Sequence, residues 1–173
     1  MAGNPLNAAL WSDADVYVGD LSATVPTDVD TVFGAEWDLV GLISPDGLSF
    51  ARTEEEADHF AFGGGLVRTS RRNFKQTVAF TALEWNDTTR ELIWPGSTED
   101  VLLVPRPARI QIAFERREGD KVDRLISYHQ AEVNAGDWTE TDASLVGYPL
   151  TATIYPDGER RLFHHQATTE ESP

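Results

Sequence analysis

The stretch that decides the fold is Arg109-Ile-Gln-Ile-Ala-Phe-Glu-Arg-Arg-Glu-Gly-Asp-Lys-Val-Asp-Arg-Leu-Ile-Ser-Tyr-His-Gln-Ala-Glu-Val133. Ile110, Ile112 and Phe114 alternate with Arg109, Gln111, Ala113 and Glu115. Period-two alternation sends one set to a buried face and the other away from it. Gly119-Asp120 divides the stretch into Arg109–Glu118 and Lys121–Val133, which reads as a hairpin. Ten or more residues at ~3.3 Å each span over ~30 Å, longer than the usual strand. Strands of that length in one small domain suggest a sheet that serves more than the domain's own core.

The same period recurs on either side. Phe74, Val78, Phe80 and Ala82 alternate with Lys75, Thr77, Ala79 and Thr81, and Val146, Tyr148, Leu150, Ala152 and Ile154 form a third stripe. Two x-P-D-G-x turns, Ser44–Leu48 and Tyr155–Glu159, punctuate the chain; Pro presets φ, Asp bonds its own backbone and Gly takes positive φ. One helix is expected, from Asn86 to Trp94, with a capping box at Thr88 and Glu91 and a stop at Pro95-Gly96. Residues 1–12 and 166–173 read as arms around one β domain over 13–165.

Composition sets the limits. The chain has 173 residues, 14 Lys and Arg against 29 Asp and Glu, a net charge of −15, and no Cys. Disulfides, thiolate catalysis and Cys-based metal sites are therefore excluded. No apolar run approaches the ~20 residues of a membrane span, and the first residues lack a signal-peptide pattern; a soluble protein made in a cytosol is expected. Strong acidity argues against a nucleic-acid grip, which needs clustered cations. The charge is uneven. Residues 1–51 hold eight acids and no Lys or Arg, residues 125–173 hold eight acids and two Arg, and the middle is nearly balanced. A solvated surface explains this; so do balanced middle strands that meet other copies through opposite charges.

Catalytic patterns are weak. His59, His129, His164 and His165 form no metalloprotease motif, and Gly63-Gly64-Gly65 lacks the Lys-Ser/Thr of a phosphate cradle. His164 and His165 project to opposite faces of a strand and chelate poorly. Twenty-nine acids supply many chance carboxylate pairs, and no pattern singles one out. No cofactor, metal or catalytic residue is assigned. Trp11, Trp37, Trp85, Trp94 and Trp138 fall in different elements, where core or rim packing explains them better than a glycan platform.

The most informative segment is 52–72, expected to project as a loop. It starts acidic (Glu54, Glu55, Glu56, Asp58), passes through Phe60, Phe62 and the Gly triplet, and ends basic (Arg68, Arg71, Arg72). A hairpin whose acidic and basic arms pair across strands accounts for the charges. A projection whose Phe60 and Phe62 bury in a neighbour accounts for the aromatics. The two readings are compatible.

The order of parts resembles the major tail tube protein of long-tailed, siphovirus-type bacteriophages, especially those of actinobacterial hosts. The residues that carry this are Asp15-Val-Tyr-Val-Gly19, Pro26-Thr27-Asp28, Glu36-Trp-Asp-Leu-Val-Gly-Leu-Ile-Ser-Pro-Asp-Gly-Leu48 and Asn73-Phe-Lys-Gln-Thr-Val-Ala-Phe-Thr-Ala82, then the helix, the long hairpin and an acidic β segment. The resemblance implies a mainly β fold, a β-sandwich or partial barrel of antiparallel strands with one short flanking α-helix. It implies a virion protein, not an enzyme, assembled in host cytoplasm as stacked hexameric rings with tape-measure and tail terminator proteins as partners. DNA would pass through the lumen without specific binding, and no membrane is involved. Segment 52–72 would make ring-to-ring contacts. Lys75, Thr77, Thr81, Arg109, Gln111, Glu115, Ser127 and His129, the polar face of the long strands, would line the lumen. The alternative reading is a β-sandwich adhesion or carbohydrate-binding module. A third is an enzyme with an unrecognised carboxylate pair.

Overall fold

Two sheets share one strand. The computed structural model describes residues 8–168, and the elements in chain order are β1 (Asp13–Gly19), β2 (Trp37–Leu39), β3 (Ser49–Phe60), β4 (Leu66–Ala82), α1 (Asp87–Ile93), β5 (Arg109–Glu118), β6 (Lys121–Ser127), β7 (Ala131–Ala135), β8 (Tyr148–Ile154) and β9 (Phe163–Ala167). All pairings are antiparallel. The first sheet runs β2-β1-β5-β6-β9 and the second β7-β8-β4-β3. Arg109 and Ile110 of β5 pair with Glu132 and Ala131 of β7, whereas Ala113–Glu118 pair with β6. The nine strands are thus one continuous sheet folded into a partial barrel, with one short helix. Among the described residues no helix is long and apolar enough to cross a membrane.

The fork in β5 breaks the strand expected over Lys121–Val133. Between the two partners of β5 lies a gap at Gln111 and Ile112, and there Ser127 Oγ accepts from the Ile112 N–H at 2.9 Å. That side chain supplies the bond a partner strand would have made. Residues 128–130 then carry the chain across to the second sheet.

Both faces of β5 are buried, not one as the alternation suggested. Ile112 and Phe114 face inward with Val16, Val18, Val78, Phe80, Leu150, Ala152 and Ile154. Phe114 meets Phe50, Phe80 and Phe163 edge-on, at ring-centroid distances of 5.8, 6.2 and 6.5 Å. On the outer side, residues 20–36 lie over the first sheet, and Ala23 and Trp37 pack on Ala113 and Ile126 beside Tyr17, Val25 and Phe33. The two-residue turn sets Glu118 opposite Lys121 and Ala113 opposite Ile126. Ile126 therefore faces outward under the cover, and Ser127 faces inward opposite Ile112.

Helix α1 is capped by Asn86, whose side chain accepts from Thr89 N at 2.8 Å. The box expected at Thr88 and Glu91 does not form; Glu91 Oε1 reaches forward to Gly96 N instead, at 2.9 Å. Asn86 Nδ2 and Thr89 Oγ1 both donate to Val40 O, which ties the helix to the end of the β2 segment. Gly41 follows with φ +98, and a Cβ there would lie 2.5 Å from the Glu84 carboxylate, so only glycine fits. In the second P-D-G turn the left-handed residue is Arg160 (φ 67), while Asp157 Oδ1 accepts from the backbone of Glu159 and Arg161.

β9 runs through Ala167, beyond the boundary expected at 165. Gln166 belongs to the domain, since its Nε2 donates to Pro26 O at 2.6 Å. The outer parts of both expected arms lie outside the described residues. Phe114→Ala should cost about 3–5 kcal/mol, the range for deleting a buried aromatic. Phe74→Ala, where the ring is 42% exposed, should cost less, about 1 kcal/mol. Denaturant unfolding of both variants checks the pair.

Candidate assembly surface

β4 pairs with β8 only over Gln76–Ala82. Its remaining residues, with Thr53–Phe60 of β3, leave the body as a two-stranded ribbon that has no third strand on either side among the described residues. Segment 52–72 is therefore a continuation of two long strands and not a loop, and only Ala61–Gly65 turn, with Gly63 and Gly64 at positive φ. The acidic and basic arms pair as expected: Glu55 lies opposite Arg72, Glu56 opposite Arg71 and His59 opposite Arg68. Arg71 Nε meets Glu56 Oε1 at 2.8 Å, and Thr69 Oγ1 donates to Asp58 at 2.7 Å. Asn73, at φ 56, forms a bulge that shifts the register by one residue, and its Nδ2 bonds Glu55 at 2.7 Å. Phe60 is 63% exposed and Phe62 fully exposed, with Leu66 and Val67 open beside them. Glu54, Arg68 and Arg72 have no side-chain ion pair or hydrogen bond among the described residues.

A second feature is the outer face of the second sheet. The pairings Ala51↔Thr77↔Thr153↔Glu132 and Ser49↔Ala79↔Thr151↔Asn134 run straight across it. Thr53 and Lys75 extend it at one end, Thr81 and Pro149 at the other, and Arg109 at the margin. These side chains are small or polar, and the cover formed by residues 20–36 lies over the first sheet instead. Tyr155 sits at the rim with its hydroxyl donating to Glu132 Oε2 at 3.0 Å; that hydrogen bond, then burial, raises its pKa.

The expected lumen residues divide on this map. Lys75, Thr77, Thr81 and Arg109 lie on the open face. Gln111 and Glu115 continue the same side of β5 but are buried beneath the cover. Ser127 points inward at the fork, and His129 is exposed in the crossing between β6 and β7. Ser49, Ala51, Ala79, Thr151, Thr153, Glu132 and Asn134 complete the open face. The alternation of β8 carries the signal for the two threonines, but the register that aligns them with β4 is not local to either strand.

The cover is pinned by charge. Arg124, 5% exposed, pairs with Glu115, 7% exposed, at 2.6 Å. Its Nη1 also reaches Asp28 O, Thr31 O and Gln166 Oε1 at 3.0–3.2 Å, and its guanidinium stacks on Phe33. Arg117 bridges Asp13, Asp15 and Glu115. Burial alone would lower the Arg117 pKa, and the hydrogen bonds to Asp15 and Glu115 outweigh it and raise it. None of this network was legible from patterns, because its partners lie far apart in the chain.

The two adjacent histidines do diverge. His165 Nε2 contacts Asp123 at 2.9 Å, whereas His164 stacks on Tyr128, whose other face holds Arg161. Burial and then the Arg161 charge lower the His164 pKa. Trp37 is buried and donates to Thr24 O, Trp11 lies against Arg116, Trp85 and Trp138 pack on Tyr148, and Trp94 lines the core.

Phe60→Ser with Phe62→Ser should leave the unfolding transition within about 0.5 kcal/mol of the parent, since both rings are exposed. The same double variant should lose self-association in a sedimentation series across protein concentration, while the parent grows in size without added cofactor. Unfolding of the variant would show the tip to be core.

No family model matches the chain, and no curated protein matches it. Among solved structures the chain is similar to one from the sheath-tube complex of an extracellular contractile injection system, PVC, in the extended state. The identity is 10%, the TM-score 0.44, and the match covers 90% of this chain and 88% of that one.

Proposed function

We propose that this protein is a structural virion component that polymerises as stacked hexameric rings into the tail tube of a long-tailed bacteriophage, a conduit for DNA ejection. The observation that carries the reading is the β3–β4 ribbon, which stands outside the body with both edges unpaired and both faces open. Isolated two-stranded ribbons are marginal in water, and unpaired edges recruit further chains. Closure by neighbouring copies removes the edges. Rings, tubes and the tape-measure and terminator partners of such a tail follow from that role, with assembly in host cytoplasm.

In this reading the open face of the second sheet is the lumen wall. Lys75, Thr77, Thr81 and Arg109 would line it, together with Ser49, Thr151 and Thr153. Apart from Lys75 and Arg109, the second of which has Glu132 opposite it, the wall is of small hydrated side chains, and the net charge of −15 opposes condensation on phosphates. Glu115 pairs with Arg124 and Ser127 closes the fork, and Gln111 is buried away from the open face. The adhesion alternative gains little from the tryptophans: Trp85 and Trp138 share Tyr148, but Trp85 is the exposed ring of that trio and Trp11, Trp37 and Trp94 lie elsewhere.

The chain has no Cys, so single Cys at Thr77 and at Thr151 report on this face alone. In assembled protein both should resist a reagent too bulky for the channel and still react with a small one, while unassembled protein reacts with both reagents. Equal labelling by the bulky reagent in both states removes the lumen assignment.

A further inference from the structure

The tip of the ribbon and helix α1 lie at opposite ends of β4. From Leu66 to Ala82 the strand rises ~3.3 Å per residue, roughly 50 Å in all, and the chain then leads directly into α1. Beside α1 are two adjoining depressions of about 230 and 280 Å³ that share Leu92, Pro95 and Val133. Val18, Ile110 and Ile93 add apolar floor. Asp20, Asp38 and Glu91 line the first depression with Arg109, and Arg106 lines the second. The tip has the complementary character. It carries Phe60 and Phe62 with nothing of their own chain to cover them, and Arg68 is its unpaired cation. Arg68 lies opposite His59, and Asp58, bonded to Thr69, is on the other face of the ribbon.

We infer that the ribbon tip of one copy docks in the groove beside α1 of a second copy, with Phe62 on the apolar floor and Arg68 toward the acids Asp20, Asp38 and Glu91. At ~50 Å separation one chain cannot fill its own groove. A contact between unlike ends is heterologous and repeats from copy to copy along one direction. Each copy offers one tip and one groove, so a row of copies leaves a free tip at one end and a free groove at the other. The inference rests on the self-assembly reading and adds the receiving surface, which the resemblance to tube proteins does not specify for this chain.

The test uses disulfide capture between differently tagged full chains. Ala61→Cys protein, which keeps both Phe60 and Phe62, is mixed with Ala108→Cys protein, which places the second thiol in the first depression, and in parallel with Pro95→Cys protein. The reference is Ala61→Cys mixed with Thr27→Cys, an exposed position on the cover of the first sheet. Under mild oxidation the groove pairs should yield mixed dimers about 10-fold faster than the reference pair, because docking raises the local thiol concentration. If the protein assembles but both groove pairs cross-link no faster than the reference, the tip docks elsewhere and this inference falls while self-assembly stands. If the parent chain stays monomeric at every concentration, both fall.

Discussion

The structure depends on β5 serving two sheets at once. A strand has two edges, and β1 occupies one of them along most of its length. The other edge must be divided between β7 and β6, and the division leaves an orphan N–H at Ile112. Burying that group without a partner would cost about 1–3 kcal/mol. Ser127 Oγ resolves this, and from that point β6 and β7 diverge into different sheets. The fork turns a flat sheet into a partial barrel, puts Phe114 at its centre, and leaves an outer surface that belongs to both sheets. Residues 20–36 cover one half of that surface. The other half stays open.

The ribbon is the opposite case, order without burial. Fixing each residue costs roughly 1–2 kcal/mol of backbone entropy. Its cross-strand ion pairs are exposed, and such pairs contribute about 0–1 kcal/mol each. Fixing Phe60 and Phe62 at a glycine-rich tip adds cost and no contact within the chain. On the proposed reading a neighbouring copy supplies the burial that the ribbon lacks. The body, by contrast, has a double core and a buried ion network. On the same reading the subunit bodies fold first and the ribbons are buried on assembly.

Much of the fold was legible because period two is a strong signal where a strand has one buried face. β4 and β8 behave that way, and their outward residues fall where the alternation placed them. β5 did not, since a second layer covers it; the small Ala113 in its outward row was the trace of that layer. Faces were also mismatched across the Gly119-Asp120 turn. Opposing residues there sum to an odd number, so even positions on β5 meet odd positions on β6, and Ser127 was assigned to the wrong side. The charge pattern of segment 52–72 encodes the pairing of the two arms, while its Gly triplet and charged residues hide the length of the two strands. The cover and its Arg124 anchor depend on contacts nearly a hundred residues apart, and no local pattern encodes those.

The central claim is that this chain is an incomplete object closed by copies of itself. Electron microscopy of the purified, concentrated protein tests it most directly. The account predicts rings of six subunits or tubes built from them, with the β3–β4 ribbon buried between copies and the Thr77–Thr151 face lining the channel. Uniform monomers with the ribbon free in solvent, or an assembly in which the ribbon touches no neighbour, would contradict it.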